Sequence, residues 1–412
     1  MNVFKRAKII AIAFLIIFFF FFTNDFNTVN IEKTALIVAL AIDKADKGYE
    51  ITVQIAVPEA SDKSKGNAES VISAKSDTLY SAIEKISEET GWHPRLSFCN
   101  LVLIGENMLS ENLINVIDFF LRSYKIEDSA ILCATEGNAK EILLTTSPLD
   151  NISSFALTKI FVREFDNASA VVTSSIKNFA IGGYSKSKYG FLPLVKKVET
   201  EDKTDVKASS FIYHSPNSAT GGESGSGGDN SGGAGKKDKP SVFDATTTLL
   251  FHDGYCVGSL TKNESLFYSL ISKPVSEAYF PIEATDESGN TGKFLVAVSN
   301  VKNKTKLDFD GNTPVFKGEL TLWLRVVDSN ANQDIKDYSN LGRLSDSMLL
   351  SAENYVKEKL HELFSKVKTS NCDLFELTNT LYRKYPKKYF EMGDKIKQLT
   401  VAEFKVSCRN FS

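Results

Sequence analysis

The sequence predicts a mixed α/β protein, with α+β-type mixed sheets, behind an N-terminal membrane anchor. Three observations carry that prediction. Apolar strands alternate with amphipathic helices over residues 34–135. A Gly/Ser-rich stretch interrupts the chain near its middle, and strands and a long amphipathic helix resume beyond it. A cation-flanked apolar run opens the chain.

Length and composition set the frame. At roughly 150 residues per domain, 412 residues make two or three domains. Hydrophobic residues at 42% and charged residues at 24% are ordinary for a globular chain and exclude wholesale disorder. Lys and Arg number 48 against 51 Asp and Glu, a near-neutral balance that argues against nucleic-acid binding.

Lys5, Arg6 and Lys8 precede an unbroken apolar run over residues 9–22, with five consecutive phenylalanines at 18–22. As a helix this run spans roughly 21 Å, short of a ~30 Å hydrocarbon core unless the cations snorkel. No small-residue cleavage site follows; Thr23, Asn24, Asp25 and Phe26 come next. The expectation is an uncleaved signal-like anchor over residues 1–24, with the remainder outside the cytoplasm.

Residues 34–42 form a continuous apolar run ending at Asp43, and residues 49–57 alternate with Tyr49, Ile51, Val53, Ile55 and Val57 on one face. That pattern is a hairpin of one buried and one half-buried strand. Residues 59–70 read as a loop. Asp77 caps a helix with a Leu79, Ile83 and Ile86 stripe, ended by Gly91. A short strand at 101–104 precedes a helix capped by Ser110, whose stripe is Leu113, Ile117, Phe120, Leu121 and Tyr124. A strand at 130–135 follows, then three helical pieces over 139–179, divided near Pro148 and Asn167, and a strand at 191–198.

Gly221 to Gly235 is mostly Gly, Ser and acidic or amide residues, so residues 201–244 are expected as a linker or insertion. It lacks the spacing of a phosphate-binding glycine loop. Strands at 246–251 and 255–260 pair across His252, Asp253 and Gly254. Asn263 caps a short helix, and strands follow at 293–301 and 315–327. A long helix over 345–368 carries Met348, Leu349, Ala352, Val356, Leu360, Leu363, Phe364 and Val367. A helix at 374–385 ends before Pro386, and a strand at 400–406 closes the chain. The expected organisation is an N-terminal region at 27–200 and a C-terminal domain at 245–410, in about three subdomains.

Chemistry is sparse. Cys99, Cys133, Cys256, Cys372 and Cys408 form no Cys-x-x-Cys pair and read as small apolar filler. His93, His214, His252 and His361 are isolated, and no nucleophile elbow occurs. Glu88-Glu89 and the acidic stretch at 199–202 read as solvated faces. The densest basic cluster, Arg383, Lys384, Lys387 and Lys388, suits a helix C-terminus, with acidic lipid headgroups as the alternative. Sequons at Asn151, Asn167, Asn263, Asn303 and Asn410 matter only in a glycosylating pathway. No catalytic, cofactor-binding or metal-binding residue is assigned, and partner-binding residues stay unassigned.

Ile31-Glu32-Lys33-Thr34-Ala35-Leu36-Ile37-Val38-Ala39-Leu40-Ala41-Ile42-Asp43, with the strand after it, resembles the opening of the Ger(x)C family. These are the C subunits of nutrient germinant receptors in endospore-forming bacteria. The resemblance continues through Leu101-Val102-Leu103-Ile104-Gly105-Glu106 and Asp118-Phe119-Phe120-Leu121-Arg122. It resumes at Val257-Gly258-Ser259-Leu260 and ends with Cys372-Asp373-Leu374-Phe375 and Leu381-Tyr382-Arg383-Lys384-Tyr385-Pro386. Three positions depart from it. No lipobox cysteine lies between Phe22 and Ile31, Ala41 replaces a common Gly, and Ser123 replaces a common Asp.

The resemblance implies a non-enzymatic receptor subunit without cofactor, on the outer face of the inner spore membrane. Its implied partners are the integral-membrane A and B subunits, with membrane lipid met through the apolar anchor in place of a lipidated cysteine. The implied role is a scaffold needed for the response to nutrients. An extracytoplasmic solute-binding protein is the alternative, with a membrane-anchored hydrolase third.

Overall fold

The computed structural model describes residues 11–18, 34–56, 69–123, 126–145, 152–162, 172–199, 241–275, 277–285, 289, 291–329 and 342–411. The apolar run at 34–42 becomes β1 (Thr34–Lys44), followed by β2 (Tyr49–Ala56) and β3 (Glu69–Ser76). Next come α1 (Leu79–Thr90), β4 (His93–Arg95), β5 (Leu101–Ile104), α2 (Leu113–Ser123) and β6 (Ile131–Thr135). The three helical pieces are α3 (Ala139–Leu144), α4 (Ser153–Phe161) and, after the two-residue β7 (Ser174–Ser175), α5 (Ile176–Tyr184). Then follow β8 (Tyr189–Glu199), β9 (Ser241–His252), β10 (Tyr255–Leu260) and α6 (Lys262–Ser272). The remainder is β11 (Ala278–Thr285), β12 (Thr291–Asp310), β13 (Thr313–Ser329), α7 (Asp346–Thr369), α8 (Leu377–Lys384), α9 (Pro386–Met392), α10 (Ile396–Leu399) and β14 (Val401–Asn410).

Two mixed sheets organise these elements. The first runs β10-β9-β8-β6-β5-β1-β2-β3, with β4 beside β1 and β7 beside β6. Its centre is parallel: β1, β5, β6 and β8 run the same way. The second runs β11-β12-β13-β14, antiparallel except that β14 lies parallel to β13. The expectation of about three subdomains meets two sheets among the described residues. The expected linker also ends early, because β9 begins at Ser241, inside the range 201–244. Residues 200–240 lie outside the described residues.

The continuity of the apolar run in β1 follows from cover on both faces. Ile37, Leu40 and Ile42 pack in the same cluster as Ile83 and Ile86 of α1 and Phe120 of α2. Ala39 and Ala41 turn the other way, toward Ala139 and Ile142 of α3 and Leu157 of α4. The same double cover corrects the reading of β2 as half-buried. Thr52 and Gln54 are fully buried, and the Gln54 amide donates to Ser153 Oγ at 3.2 Å while its oxygen accepts from the Ser154 N–H at 3.3 Å. Those bonds satisfy a polar side chain that burial would otherwise penalise.

Several helix starts differ from expectation by one or two residues, each because a neighbour reaches the free N–H groups better. Thr78, not Asp77, caps α1, its hydroxyl accepting from Ser81 N–H; Gly91 closes that helix at φ 71°. Asn112 Oδ1 accepts from Ile114 N–H at 3.0 Å ahead of α2, whereas the Ser110 hydroxyl donates to the Asn107 carbonyl. Thr261 and Glu264 form a reciprocal capping box on α6, so Asn263 is already inside the helix. Pro386 starts α9 instead of merely ending α8. Four strands escaped the pattern: β4 and β7 are only three and two residues long, β3 is largely polar, and β11 carries Pro281, tolerated because β11 is an edge strand.

The second sheet is held from one side by α6 and α7. Met348, Ala352, Val356, Leu360, Leu363, Phe364 and Val367 of α7 share one core with Phe294, Val296 and Val298 of β12 and Leu320, Leu322 and Leu324 of β13. That core also takes in Leu250 of β9 and Leu260 of β10, so the two sheets share apolar packing.

Asp43 ties the first sheet to α3. Only 2% exposed, its carboxylate accepts from the N–H groups of Ala139 at 2.8 Å and Lys140 at 2.9 Å. Gly105, at the end of β5, makes room, because a Cβ there would stand 2.0 Å from Asp43 Oδ1. Burial raises the Asp43 pKa above the ordinary carboxylate value, against the two N–H donors that lower it. We expect Asp43→Ala to cost about 1–3 kcal/mol in urea unfolding, by orphaning two buried donors. Gly105→Ala should cost a comparable amount by displacing the carboxylate. The double variant should lose less than the sum, since both changes break one contact.

Candidate functional site

The histidines do not converge. His93 in β4 and His361 in α7 are exposed, and His214 lies outside the described residues. His252 ends β9 half-buried, its Nδ1 without a hydrogen-bond partner. Burial, then the nearby Lys397 charge, hold its pKa below the ordinary value. Among the described residues no three His, Cys, Asp or Glu side chains gather as a metal site. All five cysteines are free; Cys256 is half-buried and the rest are buried. Burial pushes the thiols of Cys99, Cys372 and Cys408 up to about 12, which keeps them protonated and unreactive.

Glu88 and Glu89 sit on the exposed face of α1, and Lys85 pairs with Glu89 at 3.7 Å. Glu199 closes β8, while residues 200–202 lie outside the described residues. Asn151 and Asn167 are outside them too. Asn303 donates to the carbonyls of Leu270 and Lys273, and Asn410 exchanges two bonds with the Leu344 backbone. These amides hold chain segments together. Asn263 is exposed on α6.

The polar groups that do converge lie where α8 meets the first sheet. Tyr189 of β8 donates its phenol to Glu376 at 2.9 Å, and Asn379 N–H donates to Ser187 Oγ at 3.0 Å. Asp373, 2% exposed, accepts from the N–H groups of Leu377 and Thr378, both at 2.8 Å. It thereby starts α8 later than expected, after Glu376 has turned through φ 53°. The Cys372 thiol donates to the Phe251 carbonyl at 3.4 Å. Burial, then the Glu376 charge, raise the Tyr189 phenol above its ordinary pKa, so it stays a donor. Apart from the Thr378 hydroxyl, which is buried without a partner, the groups named here are satisfied by other protein groups, which suits a structural junction better than a reacting centre.

Open surfaces among the described residues include two in the C-terminal half. An open pocket of about 340 Å³ lies between β12, β13 and α8. Leu307, Phe316, Phe375 and Leu377 line it together with Lys306, Arg383 and Lys384. The second is the face of the second sheet turned away from α7. Along β13, Leu320, Leu322 and Leu324 are buried, while the alternate positions Glu319, Thr321, Trp323 and Arg325 are half-buried or exposed. Lys302 Nζ lies 5.3 Å from the Trp323 ring centroid, and the Arg409 guanidinium 5.9 Å from it. No sequence pattern singled out Trp323; its strand alternation was the available signal.

Residues 27–197 match the family model described as spore germination protein N-terminal domain. Residues 246–409 match the one described as spore germination B3/GerAC-like, C-terminal. The chain belongs to the GerAC-like spore germination proteins. It is 22% identical over 348 residues to spore germination protein B3 of Bacillus subtilis (strain 168), covering 82% of this chain and 80% of that protein. The solved structure of the GerBC protein aligns with 90% of this chain and 97% of its own, at 16% identity and a TM-score of 0.49. The names of the two family models and of the Bacillus subtilis relative describe spore germination proteins.

Family motifs found in the sequence acquire physical reasons. Asp43 and Asp373 start helices, and Gly105 leaves space for a carboxylate. Asp118 of α2 accepts from the Tyr184 phenol at 2.9 Å. Among the described residues, no helix is long and apolar enough to cross a membrane. Residues 11–18 are helical and exposed, and the rest of the anchor expected at 1–24 lies outside the described residues.

Glu264 supplies a pH test of the packing between α6 and α7. It accepts from Lys366 Nζ at 2.7 Å and from Thr261 N–H at 2.7 Å. Burial raises its pKa, but these donors outweigh that and set it below the ordinary glutamate value. A depressed folded pKa adds stability above the unfolded glutamate pKa, lost as pH falls through the folded value. Glu264→Gln should therefore melt below the unsubstituted chain at neutral pH. The gap should close in acid, as thermal unfolding across a pH series would show.

Proposed function

We propose that this chain is a non-enzymatic, C-type subunit of a nutrient germinant receptor. It sits on the outer face of the inner spore membrane, tethered through its N-terminal apolar segment. There it acts as a scaffold for the integral-membrane A and B subunits. Its halves, 27–200 and 245–410, work as one body, with the insertion expected at 201–244 ending where β9 begins at Ser241.

Membership in the GerAC-like family supports the germination role. The observation that carries the scaffold reading is that, among the described residues, helices cover the second sheet from one side. Helices bury one face, while the other offers Trp323 between two cations. An aromatic flanked by Lys and Arg on a sheet face is the kind of anchor on which protein interfaces concentrate their energy. The solute-binding alternative requires two lobes that close on a ligand. Pairing of β8 with β9 joins both halves in one sheet, which counts against such a hinge.

A C-terminally tagged chain recovered from dormant-spore membranes should bring A- and B-type subunits with it and keep its Phe-rich N-terminus, read by mass spectrometry. Trp323→Ala should weaken that recovery by on the order of 2 kcal/mol, roughly thirtyfold in affinity, without lowering the melting temperature appreciably. Recovery alone, or with a transporter, would overturn the scaffold reading.

A further inference from the structure

We propose that the α8–α9 corner is a second membrane contact, a basic and aromatic patch that lies on an anionic bilayer surface. It goes beyond the N-terminal tether and rests on the proposed membrane placement only for bringing the bilayer within reach.

Phe390 of α9 is 85% exposed, more than any other large apolar side chain among the described residues. A phenylalanine left in water to that extent, on a short helix otherwise fixed to the protein, has burial still to gain. It does not stand alone. The Tyr389 ring lies 6.1 Å from it and 5.1 Å from Tyr382 of α8, itself 45% exposed. These three rings make one strip, and tyrosine with phenylalanine is the side-chain chemistry that settles at headgroup depth.

Charge points the same way. Residues 377–390 carry Arg383, Lys384, Lys387 and Lys388 and no acidic side chain. Arg383, Lys384 and Lys387 are exposed and, among the described residues, have no acidic partner. Lys186 adds a cation 5.2 Å from the Tyr382 ring centroid. Glu391 and Asp394 follow Phe390, both exposed, so the cations lie ahead of the aromatic tip and the anions after it. The last turn of α8 accounts for Arg383 and Lys384, which favour its dipole. It does not account for Lys387, or for the phenylalanine beside it.

The corner is also rigid enough to present the strip. Lys388 Nζ sits 3.4 Å from the Phe309 ring centroid, and Tyr385 packs edge-on against Phe309 at 5.1 Å. Both fix α9 to the tip of the β12–β13 hairpin, so the aromatic strip needs no refolding to meet a flat surface. An anionic bilayer matches both halves of this chemistry: headgroup charge for the cations and the acyl boundary for Phe390.

The test uses the full chain reconstituted with vesicles of neutral phosphatidylcholine, or of phosphatidylcholine with phosphatidylglycerol, each with and without brominated acyl chains. Flotation reports attachment through the tether. Phe390→Trp reports the corner, after subtraction of the unsubstituted chain's own Trp92 and Trp323 emission. We expect the new tryptophan to shift to the blue and be quenched by brominated lipid in anionic vesicles only, and to revert in high salt. Lys384→Glu with Lys387→Glu should weaken the effect by roughly fivefold for each cation removed, and the salt dependence stands even if that variant folds poorly. A Phe390→Trp chain that floats with anionic vesicles while its added emission stays unshifted and unquenched would overturn the proposal and leave the tether intact. A shift produced only by added receptor subunits would overturn it in favour of a protein interface. Failure to float at all would sink both readings.

Discussion

The pairing of β8 with β9 is the constraint on which the rest of the structure depends. It runs from Tyr189 opposite His252 to Glu199 opposite Ser241, and so joins chain on either side of residues 200–240. Closing so long a stretch costs chain entropy that grows only slowly with its length. A long antiparallel ladder, backed by shared apolar packing, can meet that cost. Leu192 of β8 and Leu249 and Phe251 of β9 join the core beneath α1 and α2, while Leu250, one residue away, joins the core beneath α7. Alternation along one strand thus serves both sheets.

The buried carboxylates follow the same economy. Asp43 and Asp373 stand in motifs shared with the family, and an acid in such a place invites a catalytic reading. Each is occupied by two backbone N–H groups at a helix start. A carboxylate so engaged fixes the start of a helix and the position of that element. The functional weight accordingly moves to the surface, where Trp323 and the basic α8–α9 corner lie on different elements of the C-terminal half.

Much of this was legible in the sequence, for reasons that name its limits. The apolar run of β1, the Asp253-Gly254 turn with both residues at positive φ, and the α7 stripe each had a strong local signal. Strand β3 had little, since Glu69–Ser76 is largely polar and is placed by pairing with β2, with Ile72 and Ala74 as its contribution to the core. The caps moved because the competition among Asp77 and Thr78, or Ser110 and Asn112, is decided by tertiary geometry. The open face of the second sheet was unreadable as a site: alternation along residues 315–327 was visible, but nothing local told which face the helices would leave bare.

The central claim is that both family halves form one body through β8 and β9. A protease site placed among the Gly/Ser residues, between Gly221 and Gly235, allows the full chain to be folded and then cut. The account predicts that the cut chain stays a single particle in size-exclusion chromatography and unfolds in one transition close to that of the uncut chain. Separation into two fragments, each with its own transition, would contradict it.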